Sequence, residues 1–205
     1  LEVTPSHPLF TQTEAGLDPT TAAELSEGDF IAAPARLPNE PDESIDVQYV
    51  RSESSNANEL DAPETLTDDL SRLMGYTVGE GHICGGEFSR ELTITNADDE
   101  ILDDVSDIIE RLGLRYRRQP HHTRPHVSTV KCSSVELVRF LEALEPNLLE
   151  RSTHQCVPDI VFRATPRRKA EFLRAYVEGE CTVSVNEREI AVASMSEELL
   201  ENVRS

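Results

Sequence analysis

Apolar residues recur at helical spacing near the middle of the chain. In the segment TLTDDLSRLMGYTV, the residues Leu66, Leu70, Leu73 and Met74 fall on one face of a helix. Thr67 precedes two aspartates, and its side chain can accept a hydrogen bond from the first turn. The pattern therefore predicts an amphipathic helix that begins next to Thr67.

Two more helices are predicted further along the chain. In NADDEILDDVSDIIERLGL, Asn96 can cap the first turn and Gly113 can end the last one. The apolar stripe of this helix consists of Ile101, Val105, Ile108, Ile109 and Leu112. The third helix follows Ser133, because Glu136 completes a capping-box spacing before LVRFLEAL. Between the helices, EFSRELTIT and HVSTVKC have the composition of strands.

The first part of the chain has a different pattern. Up to Pro38, short apolar runs alternate with Thr, Pro and Gly, as in LEVTPSHPLFT and GDFIAAP, which predicts short strands and tight turns. From Asn39 to Glu64 the chain is rich in acids, Ser, Asn and Pro and shows little periodicity. We predict an acidic linker or mobile loop there.

The helical part of the chain contains an internal repeat. The segment ELTITNADDEILDDVSDII, from Glu91, matches EIAVASMSEELLENVRS, from Glu189, at an offset of 98 (189 minus 91). Asn96 then aligns with Ser194 as a helix cap. Each copy reads helix, acid beside small residues, hairpin, helix. The second copy ends opposite Asp107 of the first, so we expect the second repeat to be truncated.

Small residues and one acid end the first helix of each copy. The predicted helix-interface positions are Gly75, Gly79, Ala175 and Gly179. Small residues four apart let two helix backbones approach closely. Such a pair would bring Glu80 and Glu180 side by side, at the negative ends of two helix dipoles. That costly arrangement is typical of a cation site, and paired carboxylates suit Mg²⁺ in phosphodiester hydrolysis. For one copy alone, a solvated acid at an ordinary helix end is the alternative.

The composition adds a strongly acidic surface. Asp and Glu number 39 against 19 Lys and Arg, the formal charge is -20, and the lysines are Lys131 and Lys169 alone. An acidic, lysine-poor surface keeps a protein hydrated in concentrated salt, where charge repulsion is screened. We interpret the chain as coming from a halophilic archaeon, with an acidic mesophilic protein as the alternative.

The basic residues are clustered along the chain. Nucleic-acid binding is therefore still a possible function, although the net charge is negative. Many of them lie in RYRRQPHHTRPH and FRATPRRK. Clustered positive charge can follow DNA phosphates, although a solvated loop is an equally good interpretation. The candidate DNA-binding residues are Arg115, Arg117, Arg118, Arg124, Lys131, Arg163, Arg167, Arg168 and Lys169.

Other functional classes receive little support. The four cysteines lie far apart and show no zinc-ligand spacing. No apolar run approaches the ~20 residues of a membrane span, and the N-terminus lacks the pattern of a signal peptide. We expect a cytoplasmic protein with no membrane partner.

The segments LMGYTVGEG and FLRAYVEGE resemble the two signature helices of the LAGLIDADG, or dodecapeptide (DOD-type), homing endonucleases. In that family the final acid of each motif binds the divalent metal, and the small residues form the helix interface. The resemblance implies that Glu80 and Glu180 are catalytic metal ligands, with Mg²⁺ or another divalent ion as cofactor and double-stranded DNA as substrate. Cys181 replaces the usual closing glycine of the second motif.

A further segment, HQCVPDIVFRATPRRKAEFLRAYVEGE, resembles the family pattern in which Val-Pro or Ile-Pro precedes the second motif. A lysine that assists catalysis commonly stands just before that dipeptide. Gln155 and Cys156 occupy this neighbourhood here. The departure leaves open a degenerate module that binds DNA without cleaving it.

The N-terminal segment VTPSHPLFT, followed by SEGDFIAAP, resembles the T-x-x-H motif of Hint, the self-splicing fold of inteins. The resemblance implies that Thr4 and His7 assist the N-to-S acyl shift at the scissile peptide. The chain holds no N-terminal nucleophile ahead of the motif and no terminal His-Asn pair. We expect a fragment that cannot splice by itself, cut from a precursor that includes a host protein, the extein.

These patterns predict an α+β fold with three parts: a partial all-β Hint segment at 1–38, an acidic linker at 39–65, and a LAGLIDADG domain at 66–205. The domain is expected to hold αββαββα repeats, the first complete at 66–150 and the second begun at 165–205. The expected function is an intein-encoded, metal-dependent, site-specific endonuclease, monomeric when its second repeat is complete. The alternatives are a non-cleaving DNA-binding module and a halophilic scaffold or interaction protein.

Overall fold

The computed structural model describes residues 3–13, 16–33, 40–49, 51, 59–86, 89–149, 153–184 and 189–204. The chain divides into two compact units, Leu1–Glu40 and Pro41–Ser205. Within the described ranges, no helix has the length and apolar character needed to cross a membrane.

The first unit is a small β structure built on one hairpin. Strand β1 (Pro8–Thr13) pairs antiparallel with β2 (Gly16–Thr21), and Ile31 forms a bridge to Thr11. The prediction of short strands is therefore confirmed. Large apolar side chains stay exposed, with Phe10 at 53% and Phe30 at 79%. None of the residues described in this unit is buried.

The second unit combines helices with antiparallel strands, which confirms the predicted mixture of the two. Its described helices are α1 (Asp68–Glu80), α2 (Asp99–Arg111), α3 (Val135–Leu144), α4 (Asp159–Arg163), α5 (Pro166–Glu180) and α6 (Glu197–Arg204). Its described strands are β3 (Gly81–Gly86), β4 (Ser89–Asn96), β5 (Arg117–Pro120), β6 (Ser128–Cys132), β7 (Thr182–Ser184) and β8 (Glu189–Ala191). Four strands form one sheet in the order β3-β4-β6-β5, and β7 pairs with β8.

One face of the four-stranded sheet carries the core of this unit. Leu92 and Ile94 of β4 lie opposite Cys132 and Val130 of β6, and all four side chains are buried. Helices α2 and α3 pack against these strands. Side chains alternate across a strand, so the residues between these four face away from the core.

Two helices begin with the residues that their sequence favours, although one cap is shifted. Thr67 caps α1 as predicted, since its side chain accepts a backbone N–H at 3.1 Å. The cap of α3 is Ser134 and not the predicted Ser133. The predicted capping box is also wrong, because the buried carboxylate of Glu136 accepts the backbone N–H of Leu60 at 3.1 Å.

The caps of α2 and α6 both lie two residues after the predicted caps. Asp98 caps α2, while Asn96 accepts the N–H of Asp98 at 2.8 Å. In the same way Ser196 accepts an N–H from the first turn of α6, and Ser194 accepts the N–H of Ser196 at 3.1 Å. The prediction was wrong in both places for one reason. The side chains of Asn96 and Ser194 stabilise a tight turn before the helix, and the polar residue two positions later caps the helix.

Part of the segment predicted as a linker packs on the second unit. Leu60 is buried in the core, and Ser44 forms an isolated bridge to Thr65. The Asp42 N–H donates to the carbonyl of Arg163 at 2.9 Å. The partly buried apolar residues of this segment that cover the core are Ile45, Val47, Tyr49 and Ala62. These residues belong to the packing of the second unit, while the predicted domain boundaries stay predictions.

An ionic cluster joins α1 to two neighbouring helices. The Arg72 side chain is only 13% exposed. Its guanidinium contacts Asp69 at 2.7 Å, Asp104 of α2 at 2.8 Å and Glu171 of α5 at 3.1 Å. Three carboxylates thus share the charge of Arg72, which offsets their mutual repulsion, and Arg111 also contacts Asp69 at 2.5 Å.

Replacing this arginine should destabilise the fold. We expect Arg72→Leu to lower the free energy of unfolding by about 2–3 kcal/mol, because the partly buried Asp104 loses its ion pair, and Asp69 and Glu171 each lose one of theirs. Urea unfolding followed by circular dichroism measures this. The control is Arg51→Leu, whose ion pair with Glu59 is 63% and 77% exposed and should matter by less than about 1 kcal/mol. Equal losses in the two variants would contradict the assignment.

Candidate metal and nucleic-acid site

Helices α1 and α5 lie against one another through small residues. A Cβ atom added at Gly75 would overlap the carbonyl oxygen of Phe172 and lie 2.9 Å from the Cβ of Ala175. Since real Cβ atoms do not approach so closely, the two backbones are nearer than larger side chains would allow. The structure brings the predicted interface residues of both helices together.

The close pairing places two acids side by side. Helix α1 ends at Glu80 and α5 ends at Glu180. A Cβ at Gly179 would lie 3.2 Å from the Cγ of Glu80, and one at Gly79 would lie 3.5 Å from the Cβ of Glu180. Each acid therefore lies over the glycine that precedes the other acid.

The acid pair resists ionisation. Burial, and then repulsion from Glu180, raises the pKa of Glu80 to about 7, although Arg124 acts in the opposite direction. Burial also raises the pKa of Glu180. A cation placed between two such carboxylates favours their charged forms. The electrostatics of the helix ends therefore favour a bound cation.

Asn96 orients one of the two acids. Its side-chain amide donates a hydrogen bond to Oε1 of Glu80 at 3.3 Å. The contact arises because β4 runs back along β3 with Gly81 opposite Ile94, so the end of β4 returns to the end of α1. Sequence analysis assigned Asn96 to helix capping and missed this role. Its place just after the hairpin was the available signal.

A polar face of the sheet extends from the acid pair. The strand register aligns His82, Thr93, Lys131 and Arg117 in one row across all four strands. A parallel row closer to the acids holds Thr95, Thr129 and Gln119. Both rows lie on the side of the sheet opposite to the apolar core. We refer to these seven residues as the polar face.

Two predicted DNA-binding residues, Lys131 and Arg117, lie on the polar face. Glu91 of β4 lies 3.2 Å from the Lys131 ammonium and 4.0 Å from the Arg117 guanidinium. A hydrogen bond from Ser133, and then the contact with Lys131, lowers the pKa of Glu91. This acid is therefore ionised at neutral pH and holds both cationic side chains over the sheet.

Two further basic residues flank this sheet. Arg124 lies in the turn between β5 and β6, near enough to Glu80 to affect its pKa. Arg115 is exposed just before β5. In contrast, Arg118 is not brought to the polar face. Its partner across the strand is the buried Val130, and it forms ion pairs with acids of α2.

The remaining predicted DNA-binding residues lie near the start of α5: Arg163, Arg167, Arg168 and Lys169. About 20 Å of helix separates Arg167 from Glu180, at 1.5 Å per residue. Arg167 and Arg168 both form ion pairs with Asp68 in the first turn of α1. The structure brings neither to the acid pair, and their ion pairs join the beginnings of the two helices.

A cavity of 270 Å³ lies beside the acid pair. Among its lining residues are Glu180, Tyr176, Gln155 and Ser194. Gln155 is 8% exposed, so its side chain is buried next to the second acid. Burial raises the pKa of Tyr176 to about 12, which keeps its hydroxyl protonated at neutral pH. Sequence analysis missed Tyr176, because a tyrosine on a buried helix face gives no signal of its own.

At the ends of α1 and α5 the described residues bring two carboxylates together and no larger set of possible metal ligands. No group of three or more His, Cys, Asp or Glu within the described ranges is placed to hold a metal ion. Further ligands for an ion at Glu80 and Glu180 would come from water or from a bound molecule.

In the first unit, Thr4 and His7 lie in one tight turn just before β1. The His7 N–H donates to the Thr4 carbonyl at 2.9 Å, and both residues are exposed. The turn brings the two residues of the T-x-x-H motif together. Their role in splicing stays a prediction.

Two ranges of the chain match the model of one protein family. The family model described as LAGLIDADG-like domain matches residues 68–145 and 168–205, together more than half of the chain. The matched ranges contain α1, α5 from its third residue, both hairpins that follow these helices, and helices α2, α3 and α6.

Curated archaeal proteins match most of the chain. It is 24% identical over 98% of its length to the replication factor C small subunit of Methanocaldococcus jannaschii, and 24% identical over 99% to the RNA polymerase subunit Rpo1C of that organism. It is 29% identical over 79% of its length to elongation factor 2 of Methanopyrus kandleri. The chain spans only 11%, 24% and 12% of these three relatives.

Solved structures of one endonuclease are also similar. The crystal structure of I-DmoI in complex with DNA and Mn gives a TM-score of 0.40 at 14% identity, over 58% of this chain and 64% of that chain. The complex of I-DmoI with DNA and Ca gives 0.37 at 13% identity, over 56% and 58%.

Proposed function

Because the chain belongs to the LAGLIDADG-like domain family, we propose that it is part of an intein and contains the intein's endonuclease. In this proposal the second unit binds a specific site in double-stranded DNA and hydrolyses phosphodiester bonds with a divalent metal ion. One observation carries it: the tight pairing of α1 and α5 holds Glu80 and Glu180 side by side at one end of the polar face.

The residues at the helix ends suit a hard divalent cation such as Mg²⁺. Carboxylate oxygens are its preferred protein ligands, and a pair whose ionisation is opposed by burial and repulsion gains most from a positive charge. Glu80 and Glu180 would hold the ion, with Asn96 orienting Glu80. When bound, such an ion stabilises the negative charge that develops on the phosphate.

The polar face is the surface we propose for DNA. A β-ribbon or sheet can enter the major groove and present alternate side chains to base edges. Lys131, Arg117, Gln119 and His82 supply hydrogen-bond donors there. Since most other surface charge is acidic, DNA would approach by this face, with the acid pair near the backbone to be cut.

The relatives support the intein part of the proposal. A replication factor, an RNA polymerase subunit and an elongation factor all match this one chain, and each is much longer than the match. One segment inside three differently named proteins is the pattern of a mobile insertion. We propose that the first unit is part of a Hint domain, in which Thr4 and His7 assist splicing. Helices α5 and α6, with β7 and β8 between them, would begin a second αββαββα repeat.

A non-cleaving DNA-binding module is the second candidate, and one observation favours it. Gln155 and Cys156 stand where a catalytic lysine is common in the family, and Gln155 lines the cavity beside Glu180. A neutral amide there cannot offset negative charge in the transition state as an ammonium does. Such a protein would keep sequence-specific binding but lose the metal-dependent cuts.

Selection from a randomised duplex pool separates these candidates. We expect the protein to enrich one sequence, and to cut the recovered duplex in Mg²⁺ or Mn²⁺ but not in EDTA. The assay is run at low salt and at molar KCl, because the acidic surface suggests a high-salt habitat. Specific binding without cuts at any metal concentration would establish the second candidate. No sequence enrichment at either salt concentration would refute both.

The polar face and the start of α5 should respond differently to loss of one positive charge. We expect Lys131→Gln and Arg117→Gln each to weaken DNA binding and to reduce the slope of log K against log salt by about one. Arg167→Gln removes the same charge about 20 Å from the acids and should leave the slope unchanged. Fluorescence anisotropy across a KCl series measures all three. A reduced slope in Arg167→Gln would place the DNA elsewhere.

A further inference from the structure

Glu91 is an acid on a side of the sheet that otherwise suits DNA. Within the described residues, strands β3 to β6 contain no other Asp or Glu. Leu92, the next residue of β4, points into the core, so Glu91 lies on the same side of the sheet as the polar face. A carboxylate there repels DNA phosphates. Its presence therefore calls for a physical explanation.

The Glu91 carboxylate contacts three polar side chains at once. One oxygen, Oε1, accepts a hydrogen bond from the Lys131 ammonium at 3.2 Å. The other, Oε2, accepts from the Ser133 hydroxyl at 2.7 Å and lies 4.0 Å from the Arg117 guanidinium. Arg117 and Lys131 face each other directly across β5 and β6. One acid therefore restrains two neighbouring cations of the polar face.

The preceding residue of β4 forms an ion pair on the other side of the sheet. Arg90 contacts Glu142 of α3 at 2.5 Å, and α3 packs against β4 on the side of the core. Arg90 and Glu91 are neighbours in sequence, yet alternation along the strand directs them to opposite faces. The Arg90–Glu142 pair is therefore a matched comparison for the contacts of Glu91.

An acid between two cations changes which DNA contacts are favourable. A phosphate that approaches Lys131 or Arg117 also meets the negative charge of Glu91, so attraction to the backbone of any sequence is weakened. Like charges brought close together disfavour the wrong mode of binding. The restrained cations can still donate hydrogen bonds to base edges, and guanine presents two acceptors, O6 and N7, in the major groove.

We propose that Glu91 is a specificity-determining residue of the DNA-binding surface. It positions Lys131 and Arg117 to donate to guanine in the major groove, and its charge disfavours their use as general phosphate contacts. Neighbouring strands lie about 4.8 Å apart, so the two cations reach the same base pair or adjacent ones. The inference rests on the proposed function, because it requires that the polar face binds DNA.

Selection of the whole chain on the randomised duplex pool, repeated with Glu91→Gln, tests this. Glutamine keeps the shape of glutamate and removes its charge. We expect the recovered site to lose its preference for guanine at one or two adjacent positions and to keep its other preferences. Binding to unrelated duplexes should strengthen about tenfold at about 0.1 M KCl, and the slope of log K against log salt should steepen by about one. Fluorescence anisotropy across a KCl series measures both.

Two further variants separate the role of Glu91 from a general loss of stability. Glu142→Gln removes the matched ion pair on the other side of the sheet and should change neither the guanine preference nor the salt slope. Ser133→Ala removes one hydrogen bond to Glu91 and no charge, so the slope should stay the same while the guanine preference weakens about threefold. Thermal melts show whether each variant folds. If Glu91→Gln does not fold, Ser133→Ala decides.

Two results would overturn the inference alone. The first is a folded Glu91→Gln variant that keeps the wild-type guanine preference, whatever its salt slope. The second is an equal loss of that preference in Glu142→Gln. A wild-type protein that binds no duplex, or binds all duplexes alike, would instead refute the proposed function, and the inference with it.

Discussion

Glu80→Gln will bind its DNA site but lose the ability to cut it. Glutamine has the shape of glutamate without the charge, so the cation keeps only one of its two carboxylates. We expect the single-turnover cleavage rate to fall by at least about a hundredfold to a thousandfold, as for loss of one transition-state contact. The Kd, measured in Ca²⁺, should change little or improve, since a negative charge near phosphate is removed. Glu110→Gln, at an exposed site on α2, is the control.

The same variant should be more stable than wild type at alkaline pH. Burial and the repulsion of Glu180 raise the pKa of Glu80 from 4.5 to about 7 in the folded state, so folding favours the protonated acid. That stability is present below pH 4.5 and is lost as the pH rises through about 7. Thermal melts should therefore separate Glu80→Gln from wild type increasingly between pH 5 and 8, and divalent ions should reduce the difference. Equal thermal midpoints of the two proteins at every pH would mean that burial and repulsion do not raise the pKa of Glu80.

Gly75→Ala will destabilise the second unit although it adds only one methyl group. The new Cβ would overlap the Phe172 carbonyl oxygen and lie 2.9 Å from the Ala175 Cβ. The two helices must then separate, which we expect to lower the free energy of unfolding by about 3 kcal/mol. Alanine gains about 1 kcal/mol of helix propensity over glycine, so the steric effect must exceed that gain. Urea unfolding measures the net change.

Gly79→Ala is the matched control on the same helix. Its Cβ would lie 3.5 Å from the Cβ of Glu180, which is an ordinary contact. We expect unchanged stability or a gain of up to about 1 kcal/mol from helix propensity. If both glycine variants lost the same stability, general helix effects and not the close approach at Gly75 would be responsible.

The sequence was most informative about the helix pair that carries the two acids. The capping of α1 by Thr67 and the interface role of Gly75 were both predicted from spacings of three or four residues. Residues at these spacings lie on the same face of a helix. The likeness between the two copies made Glu80 and Glu180 stand out as a pair. The most specific part of the candidate site was therefore visible before any coordinates.

Features that depend on register or on distant partners were not predictable in this way. Arg117 and Arg118 are neighbours in a basic cluster, yet a strand directs them to opposite faces. Glu136 has the spacing of a capping box, but the N–H of Leu60, 76 residues away, takes its carboxylate. The cation of Arg167 is likewise taken by Asp68, across the helix pair. Composition counts charges without showing which of them are already paired.

The two acid helices come from one chain, and this affects how its recognition surface can evolve. In a homodimer every substitution appears twice, and twofold symmetry carries over to the bound molecule. Here Tyr76 and Tyr176 are encoded separately, as are Asn96 and Ser194. The two members of each pair already differ in their contacts. On the proposed function, the DNA target need not be a palindrome. One half of the surface can adapt to a new DNA sequence, one mutation at a time, while the other half continues to bind its part of the target.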